Sequence, residues 1–356
     1  MKVNFTPFLL GFVFALASCS EEETKTELSA DFDVVYRTEF KNTIYPSLIF
    51  GLSELEKIEN EPADYFFVNI KPNIETDIRI VIEESKVNFE TVITSSNVRG
   101  EKQIVPEIKW KYDDLKNLSQ PGNVDMTFVC YGKDDKELGR KNLKLSYRAI
   151  NECVFAAMID GEVLPLWWMF AAYVNEDSPI IDDFLQEVLE NTDLQSFSGY
   201  QQGEEGVLQQ VNAIFQTLRD KGIKYSSITN TSNSNSNIAS QYIRFTDEVL
   251  NNTQANCADG TAFFCSVLKK IDIKPVMVFV PGHVYLGYYA DAQKTQLYLL
   301  ETTMVGDLTF DFLNATDAQV DSFNANADKL FDSDSFDGYL IVDIEAARQF
   351  IRPIGR

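Results

Sequence analysis

The sequence predicts an α+β protein: an N-terminal antiparallel β-sandwich followed by a helix-plus-antiparallel-sheet domain. Three observations carry that expectation. Residues 31–155 hold seven short runs, several alternating apolar with polar side chains, the period of a strand with one dry face. After residue 179 the apolar spacing lengthens to that of amphipathic helices. From residue 257 a helical stretch gives way to three strands, and the only histidine of 356 residues opens the second of them. Apolar residues make up 45% of the chain and aromatics 12%, a globular composition with enough material for two domains.

The first element is a targeting segment. Lys2 supplies a basic start and residues 5–17 an apolar run too short to span a bilayer. Leu16-Ala17-Ser18-Cys19 resembles the bacterial lipoprotein box. That resemblance implies a signal peptide over 1–18, cleavage before Cys19 and lipid attachment to its thiol. The acidic tether that follows, 19–30, is similar to the surface-export signal of Bacteroidetes-type lipoproteins. It implies an outer-membrane anchor with the folded part outside the cytoplasm. Two or more acyl chains hold such an anchor stably where one would be marginal.

The strand-rich region follows, with runs at 32–36, 65–70, 78–82, 87–92, 108–112, 126–131 and 143–148. Seven such runs broken by turn residues predict a β-sandwich over 31–155. Residues 46–57 fit a short helix or a loop. Cys130 and Cys153 are candidates for a disulfide in an oxidising compartment, with a buried thiol in an apolar strand as the alternative.

The second domain is expected over 156–356. Residues 164–170 form the most aromatic patch, in which Trp167 and Trp168 serve core packing or, with Tyr285, wall a cleft. Helices are expected over 179–189, behind Pro179, and over 206–218, closed by Gly222. Residues 226–240, rich in Ser, Asn and Thr, read as a long surface loop.

Residues 258–270 then read as a helix with Cys257 at its first turn. Unpaired backbone N–H groups at a helix start favour negative charge on sulfur and on a developing oxyanion. Asp259 can cap those amides and Gly260 permits close approach of a neighbour. Gln241 or Gln254, both upstream, could add an oxyanion donor, and nothing in the sequence chooses between them. Cys265, two turns along the helix, reads as a core thiol. The strand at 274–280, the turn Pro281-Gly282 and the strand at 283–289 follow, then a polar turn and a returning strand. A symmetric hairpin places Glu301 directly opposite His283 on one face. A carboxylate there fixes the imidazole tautomer and stabilises its charged form.

The order of Asn256-Cys257-Ala258-Asp259-Gly260, Pro281-Gly282-His283-Val284 and Leu300-Glu301-Thr302-Thr303 resembles the transglutaminase-like family of papain-type cysteine enzymes. The resemblance covers roughly residues 205–305. It implies Cys257 as nucleophile, His283 as base and Glu301 as acid, where the family usually carries aspartate. The calcium sites of animal transglutaminases have no visible counterpart in this sequence, so neither calcium dependence nor a cofactor is expected.

A formal charge of −23 repels nucleic acid and anionic lipid headgroups. One histidine and the absence of paired cysteines argue against a zinc site, so no metal is expected. Asp332 and Asp334 begin like a calcium loop, but Phe336 and Asp337 break the pattern. The expected activity is attack on an amide to give an acyl-thioester, with hydrolysis of a peptide, protein or cell-wall peptide as the lead. Crosslinking to an amine and a non-enzymatic envelope-binding module are the alternatives. Oligomeric state is not legible.

Overall fold

The computed structural model describes residues 26–59, 65–159, 161–227, 236–331 and 338–355. The signal segment, Cys19, most of the tether, much of the 226–240 loop and the acidic turn at 332–337 lie outside the described residues.

The chain is α+β. Eight strands come first: β1 (Ala30–Tyr36), β2 (Thr43–Ile44), β3 (Phe66–Pro72), β4 (Thr76–Ile82), β5 (Thr91–Val98), β6 (Lys102–Ile104), β7 (Gly122–Tyr131) and β8 (Glu137–Tyr147). They form two sheets, ordered β1-β3-β6 and β2-β8-β7-β4-β5. The alternation seen in the sequence is realised in β3, whose burial alternates along its length, because one face packs inward. The sheets meet through aromatic rings: Phe66 of β3 lies 5.4 Å from Phe128 of β7 and 4.8 Å from Tyr36. One detail departs from the expected antiparallel pattern. β2 runs parallel to β8, so the five-stranded sheet is mixed at that edge. The run at 108–112 makes an isolated bridge, Asn88 to Trp110, instead of a strand. Helices α1 (Pro46–Glu59) and α2 (Tyr112–Lys116) touch through Phe50 and Tyr112, edge to face at 5.7 Å.

The remaining strands are β9 (Glu152–Ile159), β10 (Glu162–Pro165), β11 (Lys224–Tyr225), β12 (Ile238–Tyr242), β13 (Gln254–Ala255), β14 (Pro275–Val280), β15 (His283–Tyr289), β16 (Leu297–Leu300) and β17 (Leu340–Asp343). Among them stand α3 (Pro179–Asn191), α4 (Gly203–Asp220), α5 (Thr246–Asn252), α6 (Cys257–Lys270), α7 (Phe312–Asp317) and α8 (Val320–Ala325). β10-β9-β12 form one sheet, β11-β13 a parallel pair, and β16-β15-β14-β17 an antiparallel sheet on which α6 packs. β9 crosses the position expected to divide two domains, and one apolar core runs from Val34 to Ile354. The chain's far end is sewn into that core. Ile351 and Ile354 are buried, Arg352 donates its N–H to the Gly51 carbonyl at 3.1 Å, and Ile354 donates to Ala172 at 2.7 Å. No helix among the described residues is long and apolar enough to cross a membrane.

The aromatic patch belongs to this core. Trp167 stacks on Phe155 of β9 at 4.8 Å and meets Phe279 of β14 at 5.4 Å, while Trp168 stands edge-on to Phe350. The rings join two sheets and the C-terminal segment, whereas Tyr285 packs in a separate cluster with Val276, Val278 and Leu299. The Cys130–Cys153 bridge is likewise corrected: both thiols are free and buried. They sit in different sheets, Cys130 opposite Gly139 and Cys153 opposite Gln241, so each serves as a small apolar side chain. Burial pushes the Cys130 thiol up to about 12, which leaves it unreactive. Peptide mapping of the denatured, non-reduced full chain should find both cysteines alkylated. A linked peptide pair containing them would contradict this arrangement.

Candidate active site

Cys257 occupies the first helical position of α6, and the sequence around it explains why the helix starts there. Asn256 is the N-cap in extended conformation, its side chain accepting from the Asp259 N–H at 2.9 Å. The Asp259 carboxylate returns the bond to the Asn256 N–H at 2.9 Å, completing a capping box. That carboxylate, fully buried, also accepts from the Arg244 N–H at 2.8 Å and the Arg244 guanidinium at 2.6 Å. Burial raises its pKa above the ordinary value, while the bonds from Asn256 and Arg244 pull the other way. Its surroundings offer only donors, the environment of an ionised carboxylate. The Asp259 and Gly260 amides bond to Asn256. Those of Cys257 and Ala258 have no partner among the described residues, as expected for the first turn of a helix.

His283 begins β15 directly after the Pro281-Gly282 turn and pairs with Val280 of β14. Its Nε2 lies 2.7 Å from Oε2 of Glu301. Bonding to Cys257, then to Glu301, pushes the imidazole up to about 10 against the opposing effect of burial. With Nε2 engaged by the carboxylate, Nδ1 is the nitrogen left for the thiol. Cys257, half-buried at the edge of the core, therefore meets a protonated imidazole at neutral pH.

Glu301 is not directly opposite His283. The ladder pairs Leu286 with Leu300 and Tyr289 with Leu297, so the hairpin is centred on residue 293 rather than 292. Extended in that register, Glu301 would stand level with Tyr285, diagonal to His283 and on the same face. β16 ends at Leu300, and Glu301 caps the short 3₁₀ turn Thr302–Met304. A diagonal separation is roughly 7–8 Å between backbones, within reach of a long side chain. The extra methylene of glutamate over aspartate serves that longer span.

The carboxylate is satisfied on both oxygens. Oε1 accepts from the Thr303 N–H at 3.0 Å and hydroxyl at 2.6 Å. Oε2 accepts from the Gln319 side-chain amide at 2.7 Å as well as from His283. The Glu301 N–H donates to Ala315 of α7 at 2.8 Å. Burial works to raise the Glu301 carboxyl, but the bonds from His283 and Thr303 outweigh it and hold it below its usual range. Gln319 gave no signal in the sequence, being 18 residues from Glu301 with no motif between. Gly260 is where α6 touches this turn: a Cβ there would stand 2.9 Å from the Thr302 hydroxyl.

Among the described residues, no side-chain hydrogen bond joins the other candidates to the three site residues. Gln241 is in β12 and Gln254 is exposed in β13. Among the described residues neither bonds to Cys257, His283 or Glu301. Tyr285 is fully buried with its ring 6.0 Å from the imidazole, so it supports His283 from below instead of facing a ligand. Cys265 is buried in α6. The open cleft against His283, about 670 Å³, is walled by Tyr225, Thr303, Met304, Asp307 and Leu308. A larger cavity of about 710 Å³ lies beside α4 and the end of α3 and contains none of the three site residues. Tyr225 was not foreseen, since a two-residue strand has no readable period. No family model matches the chain, and no curated protein matches it.

Three outcomes test this geometry. Because His283 is the only histidine, its imidazole proton signals can be titrated by NMR without assignment ambiguity, using an untagged chain. The midpoint should lie far above 6.5, near 10, and Glu301→Gln and Glu301→Asp should both lower it. An unchanged midpoint in both would remove the pair. Since the folded value exceeds the unfolded 6.5, the pairing stabilises the fold fully below that pH and is lost as pH rises through about 10. The stability gap between wild type and His283→Ala in urea should narrow accordingly. Arg244→Met, which leaves Asp259 buried without its cation, should cost about 3–5 kcal/mol in the same assay.

Proposed function

We propose that this protein is a cysteine-dependent acyl-transfer enzyme of the transglutaminase-like, papain-type kind, hydrolysing an amide in a peptide, protein or cell-wall peptide. The observation that carries the proposal is a helix-start thiol close enough to an imidazole to raise its pKa, with that imidazole held at Nε2 by a buried carboxylate. In this reading the first two sheets are a β-sandwich-like domain and α6 with the β16-β15-β14-β17 sheet is the catalytic unit. The lipoprotein box at Cys19 supports a tether outside the cytoplasm, on the outer membrane.

The steps follow from the geometry. The Cys257 sulfur attacks the amide carbonyl, and the free amides of Cys257 and Ala258 offer donors to the oxyanion. His283, protonated at Nδ1, gives its proton to the leaving amine as the C–N bond breaks. The acyl group stays on sulfur as a thioester. Water then adds, His283 takes its proton, and the carboxylic acid leaves as the thiol is restored. Glu301 holds the ring throughout and stabilises its positive charge. Removing this interaction should slow acylation roughly 10²–10⁴-fold.

The test is covalent capture. Incubation of the full chain with envelope peptides and quenching in acid should leave an acyl adduct on Cys257, detected by mass. Cys257→Ala should carry none, and Glu301→Gln should form it far more slowly. Equal adducts on wild type and Cys257→Ala would sink the proposal. Release of the adduct by an added amine, with no turnover in water alone, would redirect it to crosslinking.

A further inference from the structure

The cleft beside His283 is a gap between the edge of one short strand and a loop. In the parallel pair β11-β13, Lys224 donates its N–H to Thr253 at 3.0 Å and Ser226 donates to Ala255 at 2.9 Å. Neighbouring residues of a strand direct their backbone groups to opposite edges. Ile223 and Tyr225 therefore turn theirs away from β13. At Ile223 that edge is covered: Gly306 sits so close that a Cβ would come within 2.4 Å of the Ile223 carbonyl oxygen. One step on, the loop diverges and the cleft opens. The N–H and C=O of Tyr225 have no partner among the described residues, and Tyr225 is 54% exposed.

We infer that the acyl donor binds as an extended peptide strand, exchanging backbone hydrogen bonds with Tyr225 on the free edge of β11. This rests on the acyl chemistry proposed for Cys257. A strand edge with an unpaired N–H and C=O is a template for one more strand. β13 runs directly into Cys257, so a strand seated on the pair it forms with β11 is delivered to the nucleophile. The side chain of the bound residue meets apolar surface, from the Tyr225 ring, Met304 and Leu308, the last 80% exposed. Charge is balanced locally: Lys224 faces a cleft in which Asp307 is already bonded to the Thr309 N–H and hydroxyl. In a chain of net charge −23, that neutral, apolar gap suits an uncharged aliphatic or aromatic residue.

The experiment uses acetyl-Ala-Leu-Ala-chloromethyl ketone and its three singly N-methylated analogues. The Cys257 sulfur displaces chloride from each, forming a C–S bond, and labelling is followed by mass. One analogue alone, lacking the N–H that bonds the Tyr225 carbonyl, should react roughly ten-fold more slowly. Leu308→Ala, which removes apolar surface without adding charge, should lower the rate of the ketones several-fold relative to that of iodoacetamide, which has no peptide. Iodoacetamide labelling of Cys257 with equal rates for all four ketones would overturn the strand-pairing inference and leave the acyl chemistry standing. Inertness of Cys257 to both reagents would overturn the acyl chemistry, and the inference with it.

Discussion

The carboxylate of Asp259 fixes the point from which the rest of the site is laid out. It is wholly buried and reaches three donors on two segments, the cap of α6 and the chain leading into α5. A buried carboxylate is tolerated only when its lone pairs are filled, so both segments are held to one geometry. That geometry sets the first turn of α6, and the first turn aims the Cys257 sulfur. Asp259 thus acts on the thiol through the backbone, at one remove from the chemistry.

A second satisfied carboxylate defines the opposite wall. Glu301 collects donors from Thr303, His283 and Gln319, and its own amide is tied to α7. The acid is therefore held by the sheet, the 3₁₀ turn and the segment joining α7 to α8. The two walls touch at Gly260 and Thr302, where there is no room for a methyl group. Nucleophile and acid are positioned against each other by contact as well as through the histidine between them.

Much of this was legible because it depends on local rules. Helical spacing over 258–270 marks α6, and it placed Cys257 correctly in the first turn. Two-residue periodicity put His283 and Glu301 on one face, since parity survives a shift of the hairpin centre by a single position. The register itself was not legible. It is set by the turn after β15, where the Asp291 side chain gathers the amides of Gln293, Thr295 and Gln296. Spacing also failed for Cys130 and Cys153, because it carries no information on which sheet a strand joins. Gln319 and the free edge at Tyr225 arise only from tertiary packing, and no period or motif announces them.

The tail's return to the body has a consequence for biogenesis. Residues 351–354 fill space between α1 and the Trp167–Tyr173 turn, and the amides of Arg352 and Ile354 bond to carbonyls some 300 and 180 positions earlier. A chain made from its N-terminus therefore carries α1 without this covering until some 300 further residues have been made. Closure waits for residues 351–354 to emerge. Contacts between segments so far apart in sequence cost chain entropy to close, so this flank is among the slower parts of the core to form.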